Sequence, residues 1–310
     1  MADLETPRAT ADPFAPLQRD PSGAERIQRK NRTAWQDVRY RLTTNKLAMT
    51  GFWLLVLLVL AALFAPLVWP FDHYTNNLEL NNRPPDSTHW FGTDDLGRDL
   101  FARTWKGAQI SLFVGVAAAL IDLVIGIVYG GIMGYYGGKV DEVMNRFAEI
   151  LYSIPYLLVV ILLLVFMEPS LTTIIVAMSI TGWINMAWIV RGQMMQLKNQ
   201  EFALASKALG ASSMRIIFRH LVPNAMGPIL VTLTLSVPSA IFTEAFLSFL
   251  GLGVQSPVAS WGTMINDGVQ SMSIYPWRLF FPALFLSLTI FAFNVFGDGL
   301  RDAFDPKLKK

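Results

Sequence analysis

Long apolar runs separated by short polar stretches organise this chain. Residues 47–71 carry no charge and lie between Lys46 and Asp72. Residues 107–138 hold one charge, Asp122. Residues 150–167 and 169–190 are uncharged and are bounded by Glu149, Glu168 and Arg191. Residues 221–243 are uncharged, and past Glu244 the apolar run continues to about Gly253. Residues 279–297 lie between Arg278 and Asp298. A bilayer core about 30 Å thick needs roughly 20 apolar residues at about 1.5 Å each, so every run has the length of a crossing helix. Only helices satisfy their own backbone within such a segment. The pattern predicts an all-α integral membrane protein with six transmembrane helices. The first run is not a cleavable leader, because about 46 mostly polar residues precede it and it is too long for a signal-peptide core.

Composition agrees with this. Of 310 residues, 53% are hydrophobic and 15% charged, where a soluble domain carries roughly 25% charged residues. A single soluble domain and a disordered chain are both excluded. The formal charge of +2 identifies no partner. With no cysteine, disulfides, thiolate chemistry and Cys-ligated metals are excluded. Charge distribution is more informative. Twenty of the 25 Lys and Arg fall in 1–46, 139–149, 191–220 and 298–310, and five in the alternate segments. Basic residues stay on the cytoplasmic side, so both termini are expected there.

The expected organisation follows. Residues 1–23, rich in Pro, form a flexible cytoplasmic tail. Residues 24–46 form an interfacial helix, with Ile27, Trp35, Val38 and Leu42 at about helical spacing and seven Lys or Arg; it lies on the inner leaflet or packs on a partner subunit. Residues 47–71 are the first span and 72–106 the long extracytoplasmic segment. Residues 107–310 are the core, with five further spans and a distinctive cytoplasmic stretch at 200–223.

In 72–106, Asn and Pro residues give way to His89-Trp90-Phe91-Gly92-Thr93-Asp94-Asp95-Leu96-Gly97-Arg98-Asp99. Gly92 and Gly97 permit tight turns, and Thr93, Asp94 and Asp95 are good helix caps. In 200–223, an Ala-rich helix including Ala205 and Lys207 should stop at Gly210 in the left-handed conformation. Ser212 or Ser213 can cap a second helix, on which Arg215 and Arg219 share a face, before Pro223 resets the chain. The result is a helix–turn–helix with a small-residue face (Ala203, Ala205, Ser206, Ala208) and apolar knobs at Leu204, Leu209 and Ile217. Pro155, Pro228, Pro238 and Pro282, with Gly126, Gly130, Gly131 and Gly134, are hinge or close-packing positions.

Two carboxylates fall inside spans, Asp122 and Glu244. Charge within a bilayer is costly and points to a role, here a path through the pore, or else a polar contact to another subunit. His73, His89 and His220 are too scattered for a metal site. No catalytic residue or nucleophile–base pair is found. A phosphate-cradling loop is also missing: the only Gly-Lys, Gly138-Lys139, is followed by Val140, with Met133 where the first glycine belongs.

The 200–223 stretch resembles the cytoplasmic "EAA" motif of ABC-importer permeases. With the motif glycine on Gly210, Ala205, Gly210 and Pro223 agree, while Leu204, Ser206, His220 and Val222 depart. Gly92–Asp99, Gly134-Tyr135-Tyr136-Gly137-Gly138, Ser248-Phe249-Leu250-Gly251-Leu252-Gly253 with Trp261-Gly262, and Gly297–Asp302 with Asp305-Pro306 are similar to the dipeptide/oligopeptide branch, C-type subunit, whose relatives include nickel permeases. The resemblance implies the type I ABC-importer permease fold, half of a pore shared with a homologous second permease, two ATPase subunits and an extracytoplasmic substrate-binding protein, in a bacterial cell membrane. It implies that ATP and magnesium bind the partner subunits and that this chain holds no cofactor. It assigns ATPase coupling to the Gly210 segment, with Ala205, Lys207, Ser212, Arg215, Arg219 and Pro223, and leaves dipeptide, longer peptide and nickel open as cargo. Gly92, Thr93, Asp94, Gly97, Arg98 and Asp99 are expected to act in an outer gate or in docking the binding protein. The rival class is an ion-gradient-driven secondary transporter using Asp122 and Glu244.

Overall fold

A computed structural model describes residues 33–255 and 258–305. The tail 1–23 and residues 24–32 of the interfacial segment lie outside the described residues. The described chain forms helices α1 (Ala34–Thr44), α2 (Lys46–Val68), α3 (Leu100–Tyr136), α4 (Gly138–Ser153), α5 (Tyr156–Phe166) and α6 (Leu171–Leu197). They continue with α7 (Glu201–Ala208), α8 (Ser213–Arg215), α9 (Val222–Asn224), α10 (Met226–Phe249), α11 (Trp261–Ser271) and α12 (Trp277–Phe304).

Five of these, α2, α3, α6, α10 and α12, are each long and apolar enough to cross a membrane. The remaining apolar run does not form a straight helix. The sequence predicts a continuous span over 150–167, but α4 and α5 meet at a bend of 80°. The cause is Pro155. A residue before proline is pushed out of the helical region, and Ile154 sits at φ −73°, ψ 125°. Eleven residues of α5 rise only about 16 Å, so α5 crosses a bilayer only together with α4.

The main packing is α3 against α6. Gly126, Gly130 and Gly134 recur every fourth residue along α3, and a methyl group on any of them would strike α6. At Gly126 it would lie 2.5 Å from Met186 Cγ, at Gly134 2.6 Å from the Arg191 carbonyl oxygen, and at Gly130 it would run into the Ala187 carbonyl. Small residues let the two backbones approach where no hydrophobic effect drives helices together in lipid. The end of α3 is closed by Lys198, whose Nζ donates to the carbonyls of Gly134 (2.9 Å) and Tyr135 (3.1 Å). These are carbonyls with no helical partner.

Among the described residues the interfacial segment holds one helix, α1, and Asn45 separates it from the first span, α2. Asn45 ends α1 and caps α2, accepting from the Ala48 amide at 3.2 Å. Helix α1 begins in a Thr33–Gln36 capping box and is tied to the end of α12. Arg41 Nη1 donates to the Asp305 carbonyl at 3.2 Å, and Trp35 meets Phe304 edge-on at 5.7 Å.

Candidate functional site

A half-open cavity of about 690 Å³ lies among α3, the α4–α5 bend, α6 and α10. The bend brings Ser153, Pro155 and Tyr156 into its wall. Helix α3 contributes Asp122, α6 contributes Thr181, Gly182 and Asn185, and α10 contributes Thr232, Ser236, Ser239 and Thr243. The cavity-lining polar positions on α10 are spaced by four, three and four residues and form a single helical stripe, while Glu244 and Ser248 of the same helix lie off this cavity. That stripe was present in the sequence as a signal, although attention to charge alone passes over it. Asp122 has room because α6 carries a glycine opposite: a methyl group on Gly182 would collide with both carboxylate oxygens.

Glu244 lies elsewhere and does not line this cavity. It is fully buried, and its oxygens accept from Ser111 Oγ (2.7 Å) and Ser248 Oγ (2.8 Å). Ser111 Oγ also accepts from the Trp261 amide at 3.3 Å, and Trp261 Nε1 donates to the Thr104 carbonyl at 3.0 Å. The carboxyl is therefore the centre of a tie joining α3, α10 and α11. A buried polar group with its bonds satisfied fixes geometry and offers little to a passing solute.

At one end of α3, residues 92–99 fold into a compact knot. Gly92 and Gly97 have φ of +75° and +72°. Thr93 pairs with Asp99 as an isolated bridge, and its hydroxyl takes the Arg83 amide at 2.8 Å. Asp94 accepts from the Leu96 and Arg98 amides, both at 2.9 Å, and from Arg98 Nε at 2.7 Å. Arg103 Nε adds an ion pair to Asp94 at 3.3 Å. The helix cap is Asp99, not Thr93, Asp94 or Asp95: the chain is still turning at 93–98, so α3 starts at Leu100. Asp99 Oδ1 accepts from the Ala102 amide (2.8 Å) and Trp69 Nε1 (3.0 Å), and Oδ2 lies 2.7 Å from His89 Nδ1. Thr93, Asp94, Arg98 and Asp99 are all buried. Beside the knot, a charged pocket of about 380 Å³ is lined by Asp95, Arg98, Arg103, Asp267 and Arg278.

The 200–223 segment lies beyond the other end of α3. Gly210 has φ +82°. The Gly210 amide bonds the Lys207 carbonyl at 3.0 Å and the Ala211 amide bonds the Ser206 carbonyl at 3.1 Å, the two-bond stop that left-handed glycine permits. Ser212 precedes α8 without a side-chain capping bond. From Ile216 to Leu221 the helix widens, with the Val222 amide reaching the Ile217 carbonyl. Pro223 explains this: it has no amide hydrogen, and its ring would press on the carbonyl four residues back in a tighter helix. Asn224 Nδ2 takes up the His220 carbonyl at 2.7 Å. The expected knobs divide. Leu204 and Leu209 project, Leu209 at 89% exposure, but Ile217 is buried under the segment and faces Gly131. Ala203 is also buried, while Ala205, Lys207, Ala208, Arg215, Arg219 and Pro223 are exposed.

Five helices long and apolar enough to cross a membrane, a bent pair that can make a sixth crossing, and a polar cavity among them are the architecture of a multi-pass membrane protein. Residues 126–310 match the family described as binding-protein-dependent transport system inner membrane component, and residues 33–85 match the N-terminal transmembrane domain of oligopeptide transport permease C. This chain belongs to that family of ABC-importer permeases, which are membrane subunits and not enzymes. It is 59% identical to the oligopeptide transport system permease protein OppC of Bacillus subtilis, over 96% of this chain and 97% of the relative. The dipeptide transport system permease protein DppC of the same organism is 57% identical, over 93% of this chain and 90% of the relative. OppC of Escherichia coli K12 is 47% identical, over 92% and 95% respectively. The inward-facing MetNI methionine ABC transporter has a similar fold, with TM-score 0.56 and 18% identity over 66% of this chain and 98% of that chain.

Proposed function

We propose that this chain forms half of the translocation pore of an ATP-driven importer of dipeptides and oligopeptides, beside a homologous second permease. Two ATPase subunits hold ATP and magnesium, this chain binding neither, and an extracytoplasmic protein delivers the peptide. The observation that carries this reading is the 59% identity to an oligopeptide permease across nearly the whole chain.

Both termini and the 200–223 segment lie in the cytoplasm, where the Gly210 elbow meets an ATPase through Leu204, Leu209, Lys207, Arg215 and Arg219. The packing supports a mechanical role. Ala203, Ile216 and Leu221, at the root of the elbow, share one apolar cluster with Met186, Val190 and Met194 of α6 and Ile229 of α10. Close-packed interiors transmit displacement, so a push on the tip moves two helices that wall the cavity. On the opposite side, the 92–99 knot shapes the surface on which the binding protein docks.

The test is uptake of labelled peptide by the complete transporter in proteoliposomes. Uptake should require ATP and persist with an uncoupler. Uptake that ignores ATP and collapses with the uncoupler points to an ion-gradient carrier instead.

A further inference from the structure

The α10 hydroxyls of the cavity wall share one hydrogen-bonding pattern. Four hydroxyls of the α10 stripe donate backwards along their own helix. Thr232 donates to the Pro228 carbonyl at 2.9 Å, Ser236 to Thr232 at 2.9 Å, Ser239 to Leu235 at 3.3 Å and Thr243 to Ser239 at 2.8 Å. Ser153 does the same at the bend, to Ile150 at 2.7 Å. A hydroxyl has one hydrogen to give and two lone pairs to offer. With its hydrogen spent on a carbonyl, each of these groups presents the cavity with acceptor capacity alone. Side-chain donors on the wall are left to Tyr152, Tyr156, Thr181 and Asn185.

Asp122 adds a charge to this acceptor surface. Its Oδ1 is buried and has no hydrogen-bond partner among the described residues, as is also true of the Tyr156 hydroxyl. Among the described residues, no Lys, Arg or His lines the cavity. A carboxylate so placed lacks the counter-ion that a charge at membrane depth calls for. Gly182 keeps the space around it clear.

We infer that this cavity is a passing station for the α-ammonium group of the peptide in transit, with Asp122 as its counter-ion and the spent hydroxyls of α10 as acceptors for its N–H groups. An ammonium offers three donors and no acceptor, the complement of this wall. Tyr156 and Asn185 are left to donate to peptide carbonyls. The station has to be weak, since conduction requires release as well as binding. This rests on the peptide-import reading given above.

The test uses the complete transporter in proteoliposomes, with a labelled alanine tripeptide bearing a free amino terminus. Asp122→Asn keeps the shape and removes the charge. Uptake should fall about ten-fold or more, the factor carried by a charge-assisted contact. ATP hydrolysis stimulated by the binding protein should stay near the unsubstituted rate, so cycles run without cargo. Ser236→Ala, which removes one acceptor, should lower uptake by a smaller factor in the same direction. Asp122→Asn importing at the full rate overturns the inference, and so does loss of hydrolysis together with uptake, which marks a structural role. If the unsubstituted transporter moves no peptide with ATP, the peptide-import reading itself falls.

Discussion

Arg191 of α6 clasps Asp141 of α4 through two hydrogen bonds, Nε to Oδ1 at 2.5 Å and Nη2 to Oδ2 at 2.7 Å. A planar guanidinium meeting a carboxylate at two points fixes direction as well as distance. The pair holds α4 against the helix that walls the cavity, while Pro155 lets α5 leave in a new direction. Both side chains are partly exposed, so solvent and salt weaken the attraction. Asp141→Asn and Arg191→Lys should each lower the thermal midpoint modestly. A double-mutant cycle should return a coupling of about 1 kcal/mol. Strict additivity of the two substitutions would show that the clasp contributes nothing.

The glycine seam of α3 predicts a sharp contrast between two positions. Gly130→Val drives a branched side chain into the Ala187 backbone. It should cost about 2–3 kcal/mol or prevent a stable fold, the range for overpacking. Gly192→Ala places its methyl group where nothing lies within 4 Å and should be neutral or slightly stabilising. Yield and thermal midpoint of the purified protein in detergent measure both. A tolerated Gly130→Val would mean that α3 and α6 separate freely.

Glu244 should behave as a structural tie. Glu244→Ala strips the acceptors from Ser111 and Ser248 inside a closed environment and should cost about 2–4 kcal/mol through lost bonds and a cavity. Glu244→Gln keeps one acceptor and should cost less. Denaturation of the intact transporter, followed by tryptophan fluorescence, separates the two. Equal loss from both would show that the charge matters rather than the hydrogen bonds.

At the elbow, Gly210→Pro is incompatible with φ +82°, because proline fixes φ near about −65°. The spans should still insert, while hydrolysis stimulated by the binding protein and peptide uptake separate from one another. Arg215→Glu should weaken the same contact by reversing a charge on an exposed face. Membrane-fraction yield, stimulated hydrolysis and uptake, measured on the same preparation, check this. Normal transport by both variants counts against coupling at the elbow.

Much of this architecture is written in hydropathy. The charge-free runs locate α2, α6, α10 and α12, because burial in lipid constrains every position along a helix. Gly210 was readable for a similarly local reason: its stop needs only a left-handed residue and two nearby carbonyls. Three features were less accessible. The bend at Pro155 lies inside an unbroken apolar run, and hydropathy does not report direction. The capping role of Asp99 rather than Thr93 depends on Trp69, Arg83 and His89, which reach the knot from distant positions. The contrast between Asp122 and Glu244 depends on what faces them. Two carboxylates in two apolar runs look alike until Ser111 and Ser248 are seen to enclose one and Gly182 to clear space for the other.

Leu209 stands at the apex of the elbow with its backbone locked from within the chain by the bonds at Gly210 and Ala211. Little conformational entropy is left to lose when a partner groove receives it. Under the coupling role proposed above, the apex would act as a stiff probe of preset shape, and force applied there would travel inward instead of being absorbed by a yielding loop.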